Sequence, residues 1–256
     1  MTIYLGTSGW HYRDWRERFY PQEVPQRAWL EFYARSFATV ESNNAFYRLP
    51  ERHRFAQWAQ STPPDFVMAV KMSRYLTHIK RLREPEEPVA RFLDRVRHLE
   101  DKLGPVLLQL PPTLRSDHDL LDAALGRFPP EVRVAVEFRH DSWWTDDTRA
   151  LLSEQGAALC LADRGSKPVA PLWRTTDWTY LRLHAGAASP SPCYGRAALA
   201  SWVERLRADL AGVDAYVYFN NDPGGCALRD ARWFAQEASK RNLAITRTPA
   251  SSIRPG

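Results

Sequence analysis

The chain has 256 residues, 44% of them hydrophobic and 25% charged, with a net charge of +5, proportions ordinary for a single globular domain with a sizeable core. No apolar run approaches the roughly 18 residues that cross a bilayer. The opening MTIYLGTSGWHY lacks the basic start and apolar stretch of a secretory signal, so a cytoplasmic protein without a membrane partner is expected.

Eight short apolar runs recur along the chain, at 3–8, 38–43, 66–72, 106–110, 133–138, 157–163, 179–184 and 215–219. Between them, residues 26–37 place Trp29, Leu30, Tyr33 and Phe37 on one stripe, and 87–103 do the same with Val89, Phe92, Val96 and Leu99. Segments 119–128, 145–154, 197–210 and 227–241 show the same helical period, with 52–60 shorter and weaker. Helix-to-strand joins are brief and rich in Gly or Pro, as in STPPDF, LGPV and FPPEV. The strand-to-helix connections are longer and carry polar and aromatic residues. That asymmetry predicts βα repetition, a parallel sheet and one (β/α)8 TIM barrel over residues 1–256. Segment 164–178 shows no helix where the sixth belongs, so an irregular connection is expected there. An open doubly wound sheet is the competing architecture. The turn Thr7-Ser8-Gly9-Trp10 is no GxGxxG, and no GxxxxGK[ST] occurs.

The strand ends carry the chemistry. Glu41 and Glu137 close ATVE and VAVE, and paired carboxylates serve as acid and base, as nucleophile and acid, or as metal ligands. The alternative is that each is structural, paired to Arg139, Arg182 or Lys71. Lys71, Arg139, Arg182 and His184 either fix an anionic ligand or neutralise the acids. Arg182 and His184, two apart on one strand, share a face. Catalytic candidates are therefore Glu41, Glu137, His184 and Lys71. Candidates for substrate binding are Trp10, Asn43, His78, Gln109, Arg139, His140, Arg182, Tyr194, Asn220 and Asn221. If Glu137 is catalytic, Glu137→Gln should leave the fold intact or stabilise it.

No cofactor motif is present. A divalent metal stays open, although there is no HxH, HExxH or DxD and the nearby cations oppose one. Loop 73–84 carries Arg74, Lys80, Arg81 and Arg83 interleaved with Tyr75 and His78, which reads either as a nucleic-acid contact or as a solvated loop. Cys160, Cys193 and Cys226 show no CxxC spacing. Cys160 is expected in the core, and the other two as unpaired thiols.

Several blocks carry a resemblance: GTSGWHYRDW (6–15) with FYP (19–21), TVESNNAFYRLP (39–50), Lys71 with TH (77–78), LLQLPP (107–112), EFRHDSW (137–143), YLRLHA (180–185) and YFNND (218–222). In order and over nearly the whole chain, they resemble the YecE-like family, a domain of unknown function. The resemblance implies a TIM barrel and no established reaction. The chain departs from the family pattern at Ala185, where Gly is usual, and at Asp230, where Asn is usual; a ligand touching position 230 would meet a changed charge. The reading from sequence is an enzyme, hydrolase or lyase in type, acting on a small anionic or polyol substrate. A nucleic-acid-binding barrel and a ligand-binding protein without turnover are the alternatives.

Overall fold

A computed structural model describes residues 1–249. Eight parallel strands follow the expected runs: β1 (Thr2–Thr7), β2 (Thr39–Ser42), β3 (Val67–Lys71), β4 (Leu103–Gln109), β5 (Val134–Glu137), β6 (Ala158–Arg164), β7 (Trp178–Ala185) and β8 (Asp214–Phe219). A ninth, β9 (Ala244–Ile245), pairs with β1 and was not legible in the sequence. The helices are α1 (Trp29–Ser36), α2 (Asn44–Tyr47), α3 (Arg52–Gln60), α4 (Glu86–Val96), α5 (His118–Leu125), α6 (Asp146–Glu154), α7 (Arg196–Ala208) and α8 (Cys226–Lys240). Asp117 and Thr145 start α5 and α6 by accepting the backbone N–H groups of Leu120 and Thr148, the usual remedy for unpaired donors at a helix start. Residues 165–177, between β6 and β7, form no helix, as the sequence suggested.

The strands form one curled parallel sheet in the order β2-β3-β4-β5-β6-β7-β8-β1-β9. Among the described residues no backbone ladder joins β1 to β2, so the sheet is continuous around the curl except at that seam. There the strands still lie close: a Cβ on Gly6 would sit 2.3 Å from the Thr39 carbonyl oxygen, so only glycine fits. The Tyr33 hydroxyl from α1 spans the seam. It accepts the Thr7 backbone N–H at 3.0 Å and donates to the Thr39 carbonyl at 3.0 Å, satisfying backbone groups that would otherwise be buried unpaired.

The period of two along each strand sorts side chains into two cores. Outward residues such as Val70, Leu108, Val136, Leu161, Leu181 and Val217 meet the helices. Inward residues fill the concave side: Ala69, Leu107, Ala135, Ala158 and Cys160 opposite the larger Trp178, Tyr180, Tyr216 and Tyr218. Small residues on one wall make room for aromatic rings from the other. Two residues further along these inward rows, at the C-terminal ends of the strands, come Lys71, Gln109, Glu137 and Arg182. The fold therefore delivers one polar layer above an apolar floor.

Candidate active site at the strand ends

Arg182 is the hub of that layer and is 1% exposed. Its Nε and Nη2 donate to the two oxygens of Glu41 at 2.9 and 2.7 Å, and its Nη1 donates to Glu137 Oε2 at 2.6 Å. The Tyr180 hydroxyl also donates to Glu41, at 2.7 Å. Gln109 Nε2 donates to Glu137 Oε2 at 2.9 Å, while its Oε1 accepts from Lys71 Nζ at 2.8 Å. On the other oxygen of Glu137 converge Arg139 Nε at 3.1 Å and His184 Nε2 at 3.0 Å. Asn220 Nδ2 lies 3.1 Å from His184 Nδ1. These two contacts define the neutral imidazole tautomer, with Nε2–H donating to the carboxylate and Nδ1 accepting from the amide.

Burial by itself would raise both carboxyl groups. The Arg182 guanidinium outweighs it, holding Glu41 below and Glu137 well below the ordinary carboxylate range. Burial pulls His184 down, helped by Arg182 and Arg139 and opposed by Glu137. At neutral pH the ring is uncharged, so the low pKa of Glu137 rests on Arg182. Burial also brings Lys71 down to about 8, with Arg182 and Arg139 adding to it and Glu41 and Glu137 working against it.

A cavity of about 630 Å³ opens above this layer. Of the residues singled out from sequence, Trp10, Asn43, Lys71, His78, Gln109, Arg139, Arg182 and Asn220 line it. Glu41, Glu137 and His184 belong to the network beneath and are not among its lining residues. Three others stand elsewhere. His140 Nδ1 accepts the Ser142 backbone N–H and starts a helical turn. Tyr194 donates to Asp163 Oδ1 at 2.8 Å. Asn221 donates to Asp230 Oδ2 at 2.7 Å. Parity explains His140 and Asn221: each is one residue past an inward position, Arg139 or Asn220, and so turns away. Asp230 is not among the residues lining this cavity, and its carboxylate accepts from the Tyr194 backbone, Asn221 and Arg229.

Ser8, His11, Tyr12, Asn44, Phe46, Tyr47 and Arg74, none of them among the catalytic or substrate-binding candidates from sequence, also line the cavity. Ser8 continues the inward row of Tyr4 and Gly6, and that parity could have found it. The buried Ser8 Oγ, Trp10 Nε1 and Asn43 Oδ1 have no hydrogen-bond partner among the described residues. In loop 73–84, Lys80 pairs with Glu84 and Arg81 binds Thr113, leaving fewer cations free for a phosphodiester backbone than the sequence suggested. Tyr75–Ile79 is a single π-helical turn, a feature often found beside functional sites. It carries His78 to the cavity rim.

The two thiols expected to be unpaired are instead joined: Cys193 and Cys226 form a disulfide, with Cα atoms 4.9 Å apart. One lies in the loop after β7 and the other opens α8. Their separation of 33 residues hid a proximity that the docking of α8 creates. Cys160 is buried, as expected. Among the described residues no helix is long and apolar enough to cross a membrane. Nor do three His, Cys, Asp or Glu side chains gather to hold a metal, the strand-end acids being taken up by guanidinium groups.

Glu137 accepts four donors, and an amide could accept them on one oxygen only. Its NH2 would also face donors. Contrary to the expectation from sequence, Glu137→Gln should lower stability by about 2 kcal/mol or more. Urea unfolding of the variant checks this, and an unchanged midpoint would contradict it.

The curled parallel sheet with a cationic cavity at its C-terminal edge defines an α/β protein with a strand-end site. The model of the family described as "Protein of unknown function DUF72" matches residues 4–253, and the chain belongs to that family. The UPF0759 protein YecE of Escherichia coli strain K12 is 31% identical over 143 residues, 56% of this chain and 50% of that protein. The chain thus matches about half the length of the curated relatives. A DUF72 family protein from Thermotoga maritima superposes with a TM-score of 0.83 at 28% identity, over 93% of this chain and 100% of that one. A DUF72 protein from Enterococcus faecalis, with a TM-score of 0.78 and 20% identity over 99% of this chain and 98% of that one, bears on the fold alone. The resemblance carried by the sequence blocks is borne out.

Proposed function

We propose that the protein is an enzyme, of hydrolase or lyase type, that takes a small anionic substrate at the strand-end cavity of a (β/α)8 barrel completed across the β1–β2 seam. The observation that carries this reading is an imbalance of charge. Arg182 and Arg139 answer Glu41 and Glu137. Lys71 and Arg74 then remain at the cavity without an acidic partner among the described residues. Lys71 is 7% exposed, and a buried cation without a counter-ion is costly. An anionic ligand removes that cost, and the unpartnered Ser8 Oγ and Trp10 Nε1 supply hydrogen bonds to it.

The glutamates fit the role of anchors better than that of acid and base. Their oxygens are occupied, and their low pKa leaves no proton to give near neutrality. Proton transfer falls instead to Lys71 and His78, which line the cavity. His78 is brought down to about 4 by burial, then by Lys71, Arg139 and Arg74, so it is a neutral ring at physiological pH.

Titration with malonate or inorganic phosphate at low salt tests the reading. At a hundredfold excess over Kd, binding to the native state should stabilise by about 2.7 kcal/mol. Arg139→Ala should weaken the affinity about tenfold or more, as expected for losing a charged hydrogen bond. No response to any small anion would remove the proposal.

A further inference from the structure

We propose that Lys71 condenses with the carbonyl group of its substrate, so that the cavity takes small oxo compounds bearing a carboxylate or a phosphate. This rests on the anionic-substrate reading and narrows it. Lys71 ends β3 with its stem buried in the polar layer. Its Nζ sits 3.8 Å from the centroid of the Phe46 ring and 2.8 Å from Gln109 Oε1. The Gln109 amide cannot turn over, because its Nε2 is committed to Glu137 at 2.9 Å, and Glu137 is in turn held by Arg182. The lysine nitrogen is therefore positioned by a chain of contacts through β4, β5 and β7, a preorganisation that a simple charge–charge contact does not need. Arg74 and Arg139, which also line the cavity, are available for the substrate's anionic group while Lys71 meets its carbonyl.

The charged and titratable groups around Lys71 are Glu41 on β2, Glu137 and Arg139 at the end of β5, Arg182 on β7, and Arg74 and His78 beyond β3. With a pKa brought to about 8, chiefly by burial, roughly a tenth of Lys71 is free amine at pH 7, against fewer than about one in a thousand for an ordinary lysine. Desolvation of this kind is how a lysine becomes a nucleophile.

The step balances within the site. The Nζ lone pair forms a C–N bond to the carbonyl carbon, and the C=O π pair moves to oxygen, which takes up a proton. The nitrogen loses a proton, and the carbinolamine then expels its hydroxyl with one proton as water, leaving the protonated imine. Counted from the lysine ammonium, ammonium and carbonyl give protonated imine and water. The proton released when the free amine forms is returned when the hydroxyl leaves, and no oxidant or reductant is needed. The His78 ring can exchange these protons, since Nδ1 is engaged by Thr77 Oγ1 at 2.9 Å and Nε2 is left for the substrate.

The experiment incubates the protein with pyruvate, or separately with dihydroxyacetone phosphate, in the presence of cyanoborohydride, and maps lysine adducts by mass spectrometry. The expected result is one adduct on Lys71, heavier by the added acid less one oxygen atom. It should exceed each of Lys80, Lys102, Lys167 and Lys240 by at least about tenfold. Whichever probe is trapped identifies carboxylate or phosphate as the anionic group. Modification spread across all five lysines, or none on Lys71 with either probe, overturns the proposal. Malonate, which has no carbonyl able to condense in this way, is run in parallel by thermal shift. Stabilisation by malonate without trapping sinks the imine and leaves the anionic pocket standing, whereas neither response sinks both. Lys71→Arg, which keeps the charge, should lose the adduct. The wild-type map stands even if that variant folds poorly.

Discussion

Arg182→Met should destabilise the fold by about 3–5 kcal/mol, because it strands two buried carboxylates without their cation. For a chain of this size that is a fall of roughly 10 °C in Tm. The pH dependence should change sign as well. In the wild type, Glu41 and Glu137 have lowered folded-state pKa values. Their contribution is therefore present above the ordinary value of 4.5 and is lost as pH falls through the folded values. Without Arg182, burial dominates and lifts both carboxyls above 4.5, so the variant should recover part of its deficit as the medium is acidified towards them. Urea unfolding of both proteins from pH 7 to pH 4 measures this. A deficit under about 1 kcal/mol that does not change with pH would mean that water, rather than Arg182, satisfies the glutamates.

Lys71→Met should act in the opposite direction. Lys71 has a folded pKa of about 8 against an ordinary 10.5, so below pH 8 the native state carries the full cost of burying the ammonium. Between those values the unfolded chain still holds a proton that the native state has released, and stability rises with pH. At 1.36 kcal/mol per unit over about 2.5 units, the whole effect is on the order of 3 kcal/mol. Methionine of similar volume removes it: at pH 7 the variant should be the more stable protein, and its advantage should shrink as pH approaches 9.5. The same variant should lose about tenfold or more in affinity for malonate, as expected when a charged contact is deleted. Higher stability with lost binding is the signature of a residue kept for function at a cost to the fold. Lower stability at pH 7 would instead make Lys71 a structural partner of Gln109.

Much of the fold could be read directly. The runs at 66–72 and 133–138 appear as β3 and β5 with their ends trimmed, and no helix stands between β6 and β7. Loops lengthened on one side of each strand marked the edge where the cavity opens. The two-residue period, applied to Arg182 and His184, put both on one face, which the structure turns inward. The same rule carried along β5 and β8 would have kept Arg139 and Asn220, turned His140 and Asn221 away, and added Ser8 on β1. What stayed hidden was depth and partnership. Glu41 and Lys71 look alike in sequence, each a charged residue closing an apolar strand. One is fully enclosed by Arg182 and Tyr180, while the other reaches the cavity.

The linear chain by itself determined which residues alternate inward and where each strand stops, because hydrophobic period and Gly/Pro punctuation are local properties. Only the tertiary structure decided which acid meets which base, that Cys193 meets Cys226, and that Lys71 is left over. Those outcomes depend on strand stagger across the curl and on how far each side chain sits from water. Coulomb and desolvation energies are set by such distances and by burial, and residues far apart along the chain acquire both only when the sheet curls.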